Sequence, residues 1–468
     1  MKQFEIRWWN FRGFRDTSWL TIRPLTLLIG PNNSGKTSLH LPLLLLKQTL
    51  AARDPSIGLL MAGDYVKAGS YEDIVFSHDV SEEVELGLRF HRHSRRSVKQ
   101  MERLGQRPPG TCQLRFGGTT SLGSPVILRQ YRTLDVFDRF MMSRARLAGG
   151  NYSLRGLSRT ARYYSRSKAP FADARVDPYL KAIRKARPEG FLFRSSTIIQ
   201  EVTEATLSPS KSPEEQGQIM SAESLMYFRI TGWVESEITD RLDQVSYIGP
   251  LRERPQRSYV ISGETPPDVG TRGQFAPEIV FRNRDARKRR AVSRWLAAFD
   301  LPPTVHFRDL GEGIFSLRLR GTKTDLPVNL ADTGFGVSQV LPLIVQGTYG
   351  EEGGLIVAEQ PEIHLNPRQQ SKLADLFVEI ASTDRGVLVE THSEHLVTRL
   401  RRLMADKKIT SEQVALYFVE REGSESRVRE IDIRDNGHIR REDWPRGFFE
   451  EGLREAVGLA SSQLKRQS

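Results

Sequence analysis

The sequence feature that most constrains this chain is a glycine-rich turn that follows a short apolar run. The turn, residues 30–38, reads GPNNSGKTS, and the apolar run before it is LTLLI. It fits the pattern G-x-x-x-x-G-K-[ST], with a strand-like segment before the turn and a helix-like segment after it, as the pattern requires. Backbone N–H groups in such a turn curl around phosphate oxygens, and the helix N-terminus adds partial positive charge. The turn therefore predicts a nucleotide-binding site.

We expect the residues of this turn to hold ATP together with Mg²⁺, the two predicted cofactors. Lys36 reaches the β- and γ-phosphates, and the hydroxyl of Thr37 ligates the metal. The other predicted ATP-binding residues are Gly30, Asn32, Asn33, Ser34, Gly35 and Ser38.

Strand-like and helix-like segments alternate around the turn and again from about residue 305 onward. In the later block, GGLIVAEQ and GVLVETH are typical of buried strands, and RQQSKLADLFVEIAS between them is typical of a helix. This alternation predicts an α/β fold with a mixed sheet and flanking helices. We divide the chain into an N-terminal lobe with the P-loop (1–79), a basic insertion or lid (80–240) and a C-terminal lobe (241–468).

Two of the predicted strands end in side chains that suit ATP chemistry. The run LIVA is followed by Glu359, and P-loop enzymes hold Mg²⁺ with an acid at the end of a neighbouring strand. The run GVLV is followed by Glu-Thr-His-Ser, in which His392 can hydrogen-bond a γ-phosphate or an attacking water. A histidine after a strand is more often structural, but its combination with the P-loop and Glu359 favours a catalytic role. The predicted metal ligands are Thr37 and Glu359.

The positive charge of the chain is concentrated in its middle. The net charge is +12, and residues 81–200 carry 24 basic and 9 acidic side chains. Such a block suits a polyanion such as DNA, or an acidic protein surface; the alternative is a solvated Arg-rich loop. The predicted contacts with nucleic acid or a partner are Arg144, Arg146, Arg155, Arg159, Arg162 and Arg166.

Composition also indicates where in the cell the protein is located. No apolar run approaches the ~20 residues that a membrane-spanning helix needs, so we expect no membrane partner. No secretory signal is visible at the start, and the single cysteine, Cys112, excludes an intramolecular disulfide framework. These features favour the cytoplasm.

An ordered series of motifs carries a resemblance to a known family. The series is NFRGF (10–14), GPNNSGKTSL, GFGVSQ (334–339), EQPEIHLNP (359–367) and ETHSEHL (390–396). It resembles the ABC-class ATPases of the SMC, RecF and OLD (overcoming lysogenization defect) group. The resemblance is greatest to standalone OLD-like ATPase subunits of bacterial antiphage systems of the PARIS or Septu type.

The resemblance implies an ABC-type ATPase head and a partner for it. In that family two heads sandwich ATP, so a homodimer or higher oligomer is implied, with Gly334, Gly336 and Ser338 contacting the nucleotide of the other head. His392 would be the switch histidine. The implied function is a nucleotide-dependent sensor or scaffold that assembles with a separate effector, a nuclease or toxin, in antiphage defence. DNA or an acidic phage protein would engage the basic insertion.

Gln360 departs from the pattern of that family. The family ends its strand with two acids and then Pro-Glu, so Glu359 is the Mg²⁺ acid and Gln360 occupies the position of the general base. An amide cannot accept a proton from water at neutral pH, and losing a general base costs about 10²–10⁴-fold in rate. Either hydrolysis is slow, or another of the predicted catalytic residues (Glu359, Glu362 and His392) substitutes for the base.

Two other functions stay open at this point. One is a RecF-like DNA-repair ATPase, and the other is a nucleotide-locked scaffold that does not hydrolyse ATP. An intrinsic nuclease is not expected, because the chain after His392 offers no D-x-D and no Cys/His metal cluster.

Overall fold

The structure is a computed structural model that describes most of the chain. The described residues are 3–91, 109–119, 124–156, 177–206, 221–321, 326–440 and 442–444. They form two compact units that are each discontinuous in sequence. The ATPase unit contains Ile22–Thr37 and the described residues from Gln244 onward, and the second unit contains those of Lys2–Thr21 and Ser38–Asp243. The division into three segments at 79/80 and 240/241 stays a prediction.

The strands of the described residues are, in chain order, β1 (Phe4–Phe11), β2 (Phe14–Asp16), β3 (Leu20–Ile22), β4 (Leu25–Ile29), β5 (Val84–Phe90), β6 (Pro109–Gly117), β7 (Ile127–Asp135), β8 (Phe140–Arg146), β9 (Tyr152–Arg155), β10 (Val245–Ile248), β11 (Tyr259–Val260), β12 (Thr304–Gly311), β13 (Ile314–Arg320), β14 (Val328–Asn329), β15 (Leu355–Glu359), β16 (Gly386–Glu390), β17 (Val414–Glu422) and β18 (Glu425–Glu430).

The α-helices of the same residues are α1 (Lys36–Leu50), α2 (Pro178–Lys185), α3 (Ser195–Thr206), α4 (Ala222–Asp243), α5 (Ala276–Arg282), α6 (Ala286–Ala298), α7 (Phe335–Tyr349), α8 (Pro367–Ser382) and α9 (Glu394–Ala405). Short 3₁₀ turns lie at Phe76–His78, Leu330–Asp332 and Ser411–Gln413.

The ATPase unit is built around a mixed sheet in the order β10-β15-β16-β4-β17-β18. The first five strands are parallel, and β18 returns antiparallel to β17. Every residue of β4, β15 and β16 is buried, as expected for central parallel strands that are covered on both faces. The predicted α/β fold with a mixed sheet and flanking helices is confirmed.

Two helices that lead away from this sheet begin at clear caps. The side chain of Asn366 accepts a hydrogen bond from the N–H of Gln369 at the start of α8, and Pro367 occupies the first helical position. The hydroxyl of Ser393 accepts from the N–H of Leu396 at the start of α9. These caps fix the points at which the chain turns from β15 and β16 into helices, and so hold the carboxyl ends of those strands in place.

The remaining strands form antiparallel sheets. In the ATPase unit, β11 and β12 flank β13, and β14 also pairs with β13. The second unit contains a longer sheet in the order β2-β1-β5-β6-β7-β8-β9. None of the helices in the described ranges has both the length and the apolar character that a membrane crossing demands.

Candidate nucleotide-binding site

The predicted P-loop connects the end of β4 to the start of α1, as the motif requires. Gly30 has a φ of 147°, and a Cβ there would overlap the carbonyl oxygen of Val419 on the neighbouring strand β17. Gly35, with a φ of 104°, immediately precedes the helix. Both positions therefore favour glycine, Gly30 because of its φ and the close strand, and Gly35 because of its φ. Asn32 and Asn33 lie on the exposed rim of the turn, and Ser38 follows in the first turn of α1.

The polar groups of the loop are arranged to receive an anion. Lys36 is only 3% exposed, and its Nζ donates to the carbonyl oxygens of Gly30 (3.0 Å) and Pro31 (2.6 Å). Burial lowers the pKa of Lys36, although Glu390 and Glu362 partly oppose that shift. The Ser34 hydroxyl is buried and has no hydrogen-bond partner within the described residues. Phosphate oxygens would satisfy both side chains, so the loop fits a nucleotide phosphate.

Two buried carboxylates meet beside the P-loop at the carboxyl ends of β15 and β16. Glu359 and Glu390 are in register on these adjacent parallel strands, and their carboxylate oxygens come within 4.8 Å of each other. The hydroxyl of Thr37 donates a hydrogen bond of 2.9 Å to Oε2 of Glu390. Thus the two predicted metal ligands, Thr37 and Glu359, lie beside a third oxygen-bearing side chain, Glu390, that the sequence analysis did not predict.

These residues fit Mg²⁺. The metal prefers hard oxygen ligands, and two buried like charges side by side are stabilised by a divalent cation between them. Tyr247, on β10, donates a hydrogen bond to Glu359, which fixes that carboxylate; burial and Glu359 together raise the pKa of Tyr247. The signal for Glu390 was present in the sequence, because GVLV-Glu repeats the pattern of LIVA-Glu on the next strand.

Gln360 follows Glu359 in a backbone conformation that is unusual for a residue with a side chain. Its φ is +42°, its N–H donates to the carbonyl oxygen of Glu390 (2.7 Å), and its own carbonyl accepts from the N–H of Ile363 (3.3 Å). A non-glycine residue in this region costs free energy and is found most often at functional sites. The structure therefore places Gln360 directly after the buried Glu359 and ties its backbone to β16.

Glu362 and His392 lie together on the same side of the site. Oε1 of Glu362 accepts a hydrogen bond of 2.7 Å from the N–H of His392, whereas its Oε2 is buried without a hydrogen-bond partner among the residues that the structure describes. Burial raises the pKa of Glu362. Burial and the Lys36 ammonium lower the pKa of His392, so its imidazole is neutral at pH 7. Glu362 thus carries one carboxylate oxygen, Oε2, that makes no hydrogen bond among these residues.

The GFGVSQ turn (334–339), which the resemblance makes the signature turn for contact with the other head, leads into helix α7. Gly334 is exposed at the N-cap position, and a Cβ there would meet no described atom within 4 Å. The first N–H groups of a helix have no partners inside it, so this exposed end suits an anion from a second molecule. Gly336 is half-buried. Ser338 is only 6% exposed, and its contact with the nucleotide of the other head stays a prediction.

The structure corrects the predicted role of Arg144. This side chain is fully buried in the second unit, where Nη1 donates to the carbonyl of Ile183 (2.7 Å) and the hydroxyl of Tyr227 (3.0 Å). Nη2 donates to the carbonyl of Ala186 (2.8 Å), and the guanidinium lies 4.2 Å from the centroid of the Phe193 ring. Arg144 therefore stabilises the interior and cannot contact a nucleic acid.

The other predicted basic contacts are only partly described. Arg155 is exposed at the end of β9 and Arg146 is half-buried, whereas Arg159, Arg162 and Arg166 lie outside the described residues.

Comparisons with known proteins agree with a P-loop ATPase. A family model described as AAA ATPase domain matches residues 289–397, and one described as a protein of unknown function (DUF3696) matches 409–459. The chain is 27% identical over 122 residues to an OLD nuclease from Thermus scotoductus. That match covers 25% of this chain, and the chain spans only about a quarter (23%) of the length of the nuclease. The chain therefore contains a segment that matches an AAA ATPase domain, and part of it is similar to an OLD nuclease.

Solved structures of SMC heads are similar at low identity. The SMC head domain from Thermotoga maritima is 12% identical, with 92% of this chain and 100% of that chain covered and a TM-score of 0.38. An SMC head bound to the C-winged helix domain of ScpA is 13% identical, with 92% and 97% covered and a TM-score of 0.37. The fold assignment itself rests on the strand order and the P-loop of this chain.

Proposed function

We propose that this chain binds ATP and Mg²⁺ at the P-loop, hydrolyses ATP slowly, and uses the bound ATP to hold two copies together. The observation that carries the proposal is the contact between Thr37 and Glu390, with Glu359 alongside. It joins the P-loop helix to the acidic ends of two strands, which is the arrangement that P-loop enzymes use to hold the metal of a nucleotide. Mg²⁺ at this point would neutralise charge on the phosphates.

The proposed hydrolysis uses the residues of this chain in distinct roles. Lys36 binds the phosphates, and His392, neutral and held by Glu362, can donate a hydrogen bond to the terminal phosphate. Gln360 can orient a water but cannot take its proton. Glu362 remains as the proton acceptor, although its Oε1 already accepts a hydrogen bond from the backbone N–H of His392. Turnover is slow as a result, and the ATP-bound assembly is long-lived.

We propose that two copies associate through the signature turn. The exposed N-terminus of α7 at Gly334 would contact the nucleotide that the other copy holds. In this proposal ATP, rather than ADP, drives association, because only ATP carries the terminal phosphate for the second contact.

The biological role follows as part of the same proposal. The similarity to an OLD nuclease and the motif series favour antiphage defence in the cytoplasm, in a PARIS- or Septu-type arrangement with a separate effector. Any cutting would come from that effector, and the basic middle of the chain would engage DNA or an acidic trigger protein. Duplex DNA binding that weakens steeply with salt and is lost on reversing Arg155, Arg159 and Arg162 to Glu would favour the DNA partner.

A second candidate function rests on one observation, the amide of Gln360. If Glu362 does not take the proton of water, the chain is a nucleotide-locked scaffold without turnover. The two functions share the ATP-driven association and differ only in whether phosphate is released.

Light scattering on the full chain tests the association. We expect the measured mass to double with ATP and Mg²⁺ but not with ADP and Mg²⁺. Gly334→Leu should fold, because a side chain there meets open space, but should stay monomeric with ATP. Gly263→Leu is the matched control, since Gly263 in the same unit is equally open within the described residues. A wild-type mass that does not change when ATP is added, or a Gly334→Leu variant that associates as the wild type does, would contradict the proposal.

A further inference from the structure

Arg252 is a buried cation whose hydrogen-bonding capacity is largely unused. It lies in the segment that follows β10 and is only 8% exposed. Its Nη1 donates to the carbonyl oxygens of Pro250 (3.0 Å) and Gln360 (3.3 Å). Its Nε and Nη2 are buried with no hydrogen-bond partner in the part of the chain that the structure describes. A buried guanidinium with unsatisfied N–H groups costs free energy, so these donors need an acceptor that the described residues do not supply.

The surroundings of Arg252 place it in the nucleotide site. Its charge interacts with those of Glu362 and Glu359, yet across the described residues it shares a hydrogen bond with neither. Glu362 also interacts with Lys36 of the P-loop, so Arg252 and Lys36 are both close to one carboxylate. The bond to the carbonyl of Gln360 holds the guanidinium beside the backbone at the base position.

The side from which Arg252 approaches indicates which part of a nucleotide it meets. In the sheet order β10-β15-β16-β4, the P-loop follows β4 and Arg252 follows β10, at the opposite end of this series. Arg252 therefore reaches the site beside Gln360, at the proposed base position. Hydrolysis takes place at the terminal phosphate, so a cation at that position is placed to meet the terminal phosphate together with Lys36.

We propose that Arg252 binds an oxygen of the terminal phosphate of ATP and so enables the site to distinguish ATP from ADP. The inference rests on the proposed function, since it assigns a ligand within the same site. A planar guanidinium offers two parallel N–H donors to a phosphate, which a lysine cannot do. Burial lowers the pKa of Arg252 to about 10, so the side chain is still charged at neutral pH. ADP leaves these donors unsatisfied.

The competing role for Arg252 is purely structural. In that case its charge offsets Glu359 and Glu362, and its removal would weaken the site for every nucleotide alike. The two roles differ in the ratio of ATP affinity to ADP affinity, which is measured within one variant and is therefore insensitive to a general loss of stability.

The test is calorimetric titration of the full chain with ATP and with ADP, each with Mg²⁺, for wild type, Arg252→Gln and Arg252→Lys. We expect Arg252→Gln to raise the Kd for ATP by about 10- to 100-fold and the Kd for ADP by less than about 2-fold. Arg252→Lys should raise the Kd for ATP by an intermediate factor. If Arg252→Gln does not fold, the ratio of the two Kd values in Arg252→Lys is the test. Arg254→Gln, at an exposed arginine in the same segment, is the control and should leave the ratio unchanged.

An equal rise for both nucleotides, or no rise for ATP, would overturn the proposal. Failure of the proposed function looks different: the wild type would bind neither nucleotide, and Lys36→Ala would change nothing.

Discussion

The hydroxyl of Thr37 donates a hydrogen bond of 2.9 Å to Glu390, an acid that lies on the strand next to that of Glu359. The hydroxyl that P-loop proteins use for the metal is therefore coupled to the end of β16, next to the end of β15. The backbone N–H of Gln360 also donates to the carbonyl of Glu390. Glu390 therefore contacts the P-loop helix through its side chain and the segment that follows β15 through its backbone.

We expect Glu390→Gln to weaken metal binding specifically. An amide oxygen still accepts the hydrogen bond from Thr37, but the variant removes one of two negative charges that favour Mg²⁺. The Mg²⁺ concentration at half-maximal ATP binding should rise by about 10-fold or more, a typical cost of losing one oriented ligand group. Calorimetric titrations of ATP at several Mg²⁺ concentrations, and in chelator, measure this shift.

Glu394→Gln is the matched control, because Glu394 is exposed four residues further along, in the first turn of α9. An unchanged Mg²⁺ requirement in Glu390→Gln would remove Glu390 from the metal site.

We expect Glu362→Gln to abolish the slow turnover that remains. The amide keeps the acceptor for the backbone N–H of His392, so the fold of the site should persist, but it cannot take a proton from water. Phosphate release should fall by at least about 10²-fold, the lower end for loss of a general base. A phosphate-release assay at saturating ATP, with ATP affinity as the control for folding, measures the change.

The pH profile adds a second readout for Glu362. Burial raises the pKa of this carboxyl above its ordinary value, so it binds its proton at a higher pH than an exposed glutamate does. As a base it is active only when ionised, so wild-type turnover should fall on acidification from a higher pH than the ordinary glutamate pKa of about 4.3. Turnover in Glu362→Gln that equals that of wild type would exclude this role.

The sequence predicted those parts of the site that depend on local pattern. The P-loop, the buried strand before Glu359 and the α/β alternation all follow from spacing and apolar runs, and the structure places them as expected. Glu390 was not predicted, because an acid at the end of a strand can join the metal site only if that strand lies beside the P-loop strand. The strand order, which puts β16 between β4 and β15, shows that it does. Arg144 was misassigned because a count of basic residues does not distinguish a buried guanidinium from an exposed one.

We expect Arg144→Met to destabilise the second unit without a direct effect on the nucleotide site. The change leaves the carbonyl of Ala186 without the guanidinium donor, removes one of the two donors to the carbonyl of Ile183 and removes the contact with the Phe193 ring. Hydrogen bonds of a charged group contribute about 1.5–3 kcal/mol each, so the free energy of unfolding should fall by about 3 kcal/mol or more. Denaturant unfolding measures the change.

Arg155→Met is the control for Arg144, since Arg155 is exposed and its loss should change stability by less than about 0.5 kcal/mol. Equal stability in the two variants would contradict the structural role of Arg144.

In our proposal, the amide of Gln360 at the base position makes ATP hydrolysis slow. Steady-state turnover of wild type and Gln360→Glu tests this proposal most directly. The backbone of Gln360 is fixed by its bond to Glu390, so a glutamate should adopt the same place and supply the missing base. We predict slow phosphate release by the wild type and a rise of about 10²-fold or more in Gln360→Glu. Brisk wild-type turnover that the substitution does not increase would contradict the account.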